Sequence, residues 1–232
     1  MEILEVAYNA VVFFKSNSKA AFHINSSHTL CEAKKIMANK ETRTQITETA
    51  LECFVKHGFS KTSMTMISEH SGYSRVTVHK YFKNKSLLFR NVVQEGLQNS
   101  LEDAQQKIAQ LDPNDSWQII EAYLMAIGRT VFEQVSDDRV LRDLNDAVYD
   151  IADDIIEEKA QVTVDFIRQQ LDRGIHEQRI DLQSLRINSN ELAQLVDYGF
   201  SGIMRHAPVK EIKNQLHNFI RIYRKATEIK GL

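Results

Sequence analysis

The sequence predicts an all-α protein, and three observations predict it. Apolar residues recur every three or four positions along most of the chain, the spacing of one helix face. Alternating apolar and polar stretches, the mark of strands, are nearly absent. Only two prolines and eight glycines interrupt 232 residues, so few points force a helix to stop. A chain of that length can bury a sizeable core in one large domain or two smaller ones. The two cysteines, Cys31 and Cys53, have neither metal-site nor redox spacing. Cys53 falls on the apolar side of its helix as a small hydrophobe, and this usage points to the reducing cytoplasm. No apolar run approaches the roughly 20 residues that span a bilayer. The N-terminus is apolar in patches but carries Glu2 and Glu5 where a signal peptide would be basic.

Residues 1–36 mix short apolar runs with Ser and Asn and fit the rest least. Met37 reads as a natural start. The preceding stretch reads as an extension peculiar to this protein, as upstream sequence read through from another start (the reading favoured here), or as an arm whose Lys34 and Lys35 approach DNA. It is expected to be dispensable. A first helix is predicted over residues 44–56, with Ile46, Ala50, Cys53 and Phe54 facing inward and Gly58 closing it. Two short helices follow, broken by Gly72. A sharp turn between helices needs left-handed backbone, which Gly adopts without a Cβ penalty. Ser63 and Ser74 are their N-caps. Met64, Ile67, Val78 and Phe82 face inward, and small Ser68 sits where the helices approach. Asn84 opens a linking helix over 84–111, which Pro113 ends. The next helix starts near Asp115 and carries Trp117, Ile120, Leu124, Ile127, Val131 and Val135. A short helix from Ser136 to about Val148, a long one over 150–173, and two final helices over 191–206 and 208–230 complete the chain.

Charge is distributed unevenly. Residues 37–96 hold nine Lys/Arg against five Asp/Glu, a net +4, while residues 97–232 hold 16 against 23, a net −7. A basic module on an acidic remainder is the balance expected when one end meets phosphates.

Helix, glycine, then a basic, hydroxyl-rich helix is the layout of a helix-turn-helix, though also of an ordinary helical hairpin. The flanking residues decide: Ile46; Ala50, Leu51, Glu52, Cys53 and Phe54; His57, Gly58 and Phe59; Thr62 and Ser63; Ile67; Gly72; Ser74; Thr77; Tyr81 and Phe82; Lys83, Asn84 and Lys85; Leu87 and Leu88. In this order they resemble the DNA-binding domain of the TetR family of bacterial transcriptional regulators, over about a fifth of the chain. Val76 stands where Gly is common, Val78 where Leu is usual, and His79 where the first of two aromatics often sits. These departures cluster on the reading helix.

The resemblance implies a three-helix DNA-binding domain over residues 37–90, joined to a larger helical domain for effector binding and dimerisation over 91–232. It implies a dimeric repressor, released from a palindromic operator by a small effector, with duplex DNA and a second copy of the chain as partners and no cofactor, metal or membrane. By resemblance Arg75, Val76 and His79 contact bases, and Thr77, Lys80, Tyr81 and Lys85 hold phosphates. The chemistry agrees: Arg can bond a guanine edge with two hydrogen bonds, and Val can meet a thymine methyl. The alternative is a helical ligand-binding or interaction protein without specific DNA binding, against which the basic module argues.

In the second domain, Tyr123, Phe166 and Tyr198 each put a polar atom or a flat face into an otherwise apolar helix and are the candidate effector contacts. Leu195, Gly199, Leu216, Phe219, Ile220 and Tyr223 on the last two helices are the candidate dimer interface, which the resemblance implies is a four-helix one. Asp146, Asp150, Asp153, Asp154, Glu157 and Glu158 form an acidic stripe that reads as a solvated helix face rather than a cation site. No His-Glu-x-x-His, phosphate loop or nucleophile elbow is present, so an enzyme is not expected.

Overall fold

The computed structural model describes residues 28–229, with side chains from Ile36 onward. The expectations for the first 27 residues, and for the side chains of Lys34 and Lys35, lie outside the described residues. Nine α-helices make up the described fold: α1 (His28–His57), α2 (Met64–Ser71), α3 (Arg75–Tyr81), α4 (Lys85–Ile108), α5 (Ser116–Gln134), α6 (Asp138–Ile151), α7 (Asp153–His176), α8 (Ser189–His206) and α9 (Val209–Ala226). A 3₁₀ turn, Gln183–Leu185, sits between α7 and α8.

Local chemistry sets the boundaries. The side chains of Ser63, Ser74, Asn84 and Asp115 accept hydrogen bonds from the backbone N–H groups of Met66, Thr77, Leu87 and Gln118, capping α2, α3, α4 and α5. Asn188 and Glu191 form a reciprocal capping box at α8. Gly58 and Gly72 take left-handed backbone, with φ of 83° and 72°. At the inter-helix turn Ser68 donates to the Tyr73 carbonyl at 2.7 Å, so its small side chain ties α2 to the start of α3.

Two findings revise the expected elements. α1 begins 16 residues before the predicted start at Thr44 and runs unbroken through Met37. Its added turns are rich in Ala, Glu and Lys and contain no breaker, so they hold helix by propensity. Residues 36–40 are exposed, so they bury no apolar stripe that could have announced them. The junction predicted between the helix ending near Val148 and the one over 150–173 lies a few residues later, at Ala152. The Ala152 N–H donates to the Val148 carbonyl and ends α6, while its carbonyl accepts from Ile155 and Ile156 and begins α7. Asp153 and Asp154 then occupy the first turn of α7, where carboxylates meet the positive end of the helix dipole.

The described residues hold two cores. One packs Ile46, Ala50, Phe54, Ile67, Val78, Phe82, Leu88 and Phe89, with Phe54, Phe59 and Phe89 in mutual ring contact. Each such large side chain contributes about 1.5–3 kcal/mol on burial. The other is the bundle of α5, α7, α8 and α9 around Ile120, Leu124, Ile167, Leu171, Leu192, Val196, Ile212 and Leu216. Trp117 on α5 donates to Thr227 Oγ1 at 2.9 Å just past α9 and stacks on Tyr223. α6 bridges the cores. Ala147 is buried in the first, Leu141 in the second, and Leu144 packs on both.

α6 also grips the loop after α1. The Asp143 carboxylate accepts from the backbone N–H of Ser60 at 2.9 Å and from the Ser60 hydroxyl, and it lies directly over Gly58, where a Cβ would collide with it. A Cβ on Gly72 meets nothing within 4 Å. Gly72→Ala should therefore cost only its backbone term, about 1–2 kcal/mol. Gly58→Ala should cost more, because it adds steric displacement of Asp143. Urea titrations of the two variants against wild type check this. Equal losses would show that Asp143 moves aside freely.

Candidate nucleic-acid interface and internal site

α3 is seven residues long and anchored on one side by Val78, which is fully buried. Its other side points out. Arg75, Val76, His79 and Lys80 are all exposed, Val76 to 81% of its surface. Arg75 and His79 lie four residues apart, as do Val76 and Lys80, so the four form two adjacent rows on one face. Val76, exposed between Arg75 and Lys80, suits a site that meets a methyl group. Arg75 and Lys80 make no hydrogen bond or ion pair among the described residues. His79 Nδ1 lies 3.3 Å from the Lys83 carbonyl.

The residues expected to hold phosphates divide. Lys80 is free to do so. Thr77 is half-buried, its hydroxyl 2.9 Å from that of Ser74. The Tyr81 hydroxyl donates to Asn39 Oδ1 at 2.8 Å, which docks α1 against the end of α3. Lys85 departs from the expectation. Its Nζ turns inward, donating to the Phe59 carbonyl at 2.7 Å and lying 4.1 Å from the centre of the Phe59 ring. Burial pushes its pKa below the ordinary lysine value, opposed by the charge of Asp143. Lys85 is thus a strut of the module formed by α1 to α4 (the head) rather than an outward cation.

Arg90 on α4 was not singled out from the sequence, yet it holds the joint between α6 and α7. Its guanidinium donates to the Ile151 carbonyl at 3.1 Å and to both oxygens of Asp154. The hydrogen bond from Arg90 holds the Asp154 carboxyl below its usual range. The acidic stripe is therefore divided between two helices, with one member paired across to the head. Among the described residues, no group of three His, Cys, Asp or Glu could hold a metal ion.

In the second core, Tyr123 and Phe166 come together and Tyr198 does not. Tyr123 is buried and stacks on Phe166 with centroids 4.3 Å apart, and its hydroxyl lies 3.2 Å from Thr163 Oγ1. Burial pushes the phenol up to about 12. Tyr198 is 68% exposed on the outer face of α8. Its neighbour Asp197 is buried instead, as are Thr163 and Gln170 of α7, and the Lys159 amine of α7 lies near the Tyr123 ring. Nothing in the sequence marks these four, because polar residues on amphipathic helices ordinarily face water. An open groove of about 850 Å³ lies elsewhere, between the end of α7 and the start of α8, lined by Ile175, Ile180, Leu182, Arg186, Ile187 and Ile229.

The residues expected at a dimer interface also divide. Leu216 and Ile220 are buried in the protomer's own core, so they cannot also face a partner. Gly199 lets the Phe219 ring lie against α8, where a Cβ would collide with it. Phe219 and Tyr223 are half-buried and meet edge to face at 5.0 Å. The apolar side chains left outward on α8 and α9 are Leu195 at 46%, Tyr198, and Ile222 at 65% exposure.

Compared with known proteins, residues 46–92 match the bacterial regulatory proteins of the tetR family. Over 80 residues the chain is 31% identical to YfiR of Bacillus subtilis (strain 168), an uncharacterized HTH-type transcriptional regulator; the match covers 34% of this chain and 38% of that one. The chain therefore spans well under half the length of the curated relative it matches. The fold is similar to that of a TetR transcription regulator from Haloarcula marismortui ATCC 43049, with a TM-score of 0.64 and 14% identity over 82% of this chain and 100% of that one. It is also similar to SmeT, the repressor of the Stenotrophomonas maltophilia multidrug efflux pump SmeDEF, with a TM-score of 0.56 and 18% identity over 82% and 91%. SmeT is also known as a complex with triclosan.

Lys80→Ala should flatten the salt dependence of duplex-DNA binding by about one unit for each phosphate that Lys80 neutralises. Arg75→Ala should relax base preference, at about 1–3 kcal/mol per base touched. Lys85→Met should lower the melting temperature while leaving the salt slope in place. A slope that falls with Lys85→Met as much as with Lys80→Ala would return Lys85 to the phosphate-binding set.

Proposed function

We propose that this chain, a member of the tetR family of bacterial regulatory proteins through residues 46–92, is a dimeric repressor that leaves its operator when a small effector binds the second core. The observation that carries the reading is the outward face of α3, where Arg75, Val76, His79 and Lys80 stand exposed on a helix whose opposite side is fixed by buried Val78. A reading helix must be held rigidly by its scaffold while the side chains that meet the duplex stay exposed.

Two copies would set two such helices into successive major grooves of a palindrome, about one helical turn apart. Control would act on their spacing. The effector binds better to one arrangement of the bundle, and the size of the response is set by that difference in affinity. The contacts available to carry it to the head are Asp143 with Ser60 and Arg90 with Asp154. The complex of the similar-fold protein SmeT with triclosan supports a small organic effector.

Gel shifts on duplexes drawn from the region upstream of the protein's own coding sequence test the reading. Tight, salt-dependent binding to one palindrome over scrambled competitor is expected, and equal binding to all duplexes would reject it.

Dimerisation is assigned here to the outward residues of α8 and α9. Leu195→Glu combined with Ile222→Glu should give a folded monomer with much weaker operator binding, since charges in an apolar interface lack partners. Leu216→Glu should instead unfold the protomer. Sedimentation read beside circular dichroism distinguishes the two results, and a double variant that stays dimeric with full affinity would move the interface elsewhere.

A further inference from the structure

Surface lysines lay their stems along apolar neighbours and hold the amine in water. Lys159 does the reverse. The residue as a whole is only half-buried, yet its Nζ is sealed from solvent and has no hydrogen-bond partner. The amine lies 5.4 Å from the centre of the Tyr123 ring. Further along α7, Thr163 and Gln170 are buried, and Gln170 Oε1 is also sealed without a partner. Asp197 enters from α8, only 7% exposed, close enough that its charge acts on the Tyr123 hydroxyl. Helices α5, α7 and α8 thus place an ammonium, a carboxylate and a hydroxyl around the Tyr123 phenol, whose ring stacks on Phe166. Among these groups the hydrogen bond between Tyr123 and Thr163 is the one that forms. A helix that served only the core would carry leucine at such positions, because polar groups left unpaired in the interior destabilise the fold.

We propose that this cluster is the effector site and that its ligand is an aromatic carboxylic acid, with the acid group on Lys159 Nζ and the ring against Tyr123 and Phe166. The proposal rests on the reading of the second core as an effector domain. A carboxylate supplies what the amine lacks, a negative charge and hydrogen-bond acceptors. The aromatic pair supplies a flat apolar surface for stacking. A hydroxyl or amide N–H elsewhere on the ligand would serve Asp197, whose carboxylate accepts hydrogen bonds. Burial is consistent with a site lacking its counter-charge: it pushes Lys159 down to about 7 and Asp197 up to about 6.

Three probes that share one ring and differ in charge test this: naphthoate, naphthylmethanol and naphthylmethylamine. Each is titrated calorimetrically into the full chain at neutral pH. Naphthoate should bind about 10-fold or more tighter than the alcohol, the effect of one charge-assisted contact. Lys159→Met should erase that preference and Lys159→Arg should keep it, with circular dichroism confirming that both variants are folded. The proposal is overturned if no probe binds saturably, if the alcohol matches the acid, if the amine binds best, or if Lys159→Met keeps the preference. Gel shifts without probe report operator binding separately. Failure of the repressor reading is thereby distinguished from failure of the ligand class.

Discussion

The packing of α6 against the head is the constraint on which the rest of this structure depends. The small module built on α1 to α4 has little core of its own, and that core is completed by Ala147, with Leu144, Val148 and Ile151 packed against it. The same helix buries Leu141 in the second core. Its Asp143 carboxylate reaches back to Ser60 over the left-handed Gly58, a position where a side chain would displace it. Because α6 is shared, the orientation of the head cannot be adjusted independently of the bundle. A change in α6 tilt must be absorbed by the Ser60 contact, by the Ala152 joint, or by both.

Where local physics decides an element, the sequence could be read directly. Gly72, Ser63, Ser74, Asn84 and Asp115 announce turns and caps through their own backbone preferences, and all of them act as read. Ile46, Phe54, Ile67, Val78 and Phe82 are buried because a short amphipathic helix has one apolar face to offer. Reading failed where a residue's role depends on a neighbour distant in the chain. Lys85 looks like an outward cation until Phe59, 26 residues away, claims its amine. Leu216 and Ile220 look available to a partner until the fold turns their face into the protomer's own core. Residues 36–40 of α1 are helical yet exposed, so no buried face marks them.

The interior of the bundle follows the same rule in reverse. Tyr123 and Phe166 stood out because aromatic residues are conspicuous in any helical register. Lys159, Gln170 and Asp197 did not, because side chains of these types are solvated on nearly every helix. Their significance comes from orientation alone, and three helices must be in place before it exists. Arg90 belongs to the same class. Nothing in its sequence neighbourhood suggests that it closes the end of α6 and the start of α7 together.

The bond between Trp117 and Thr227 has a consequence for how the chain is made. Its partners are 110 residues apart, and it joins the opening helix of the bundle to the residue that follows the last. Synthesis delivers segments in order, so α5 must wait for α6 to α9 before its indole N–H finds this acceptor. The head waits as well, though for a shorter span, because Ala147 belongs to its core. A nascent chain therefore emerges with its first core unfinished until α6 is clear of the ribosome, and with its bundle open until α9 is released. Over that interval the apolar faces of α5 and α7 are bare, and quality control during translation would act on them rather than on the finished protein.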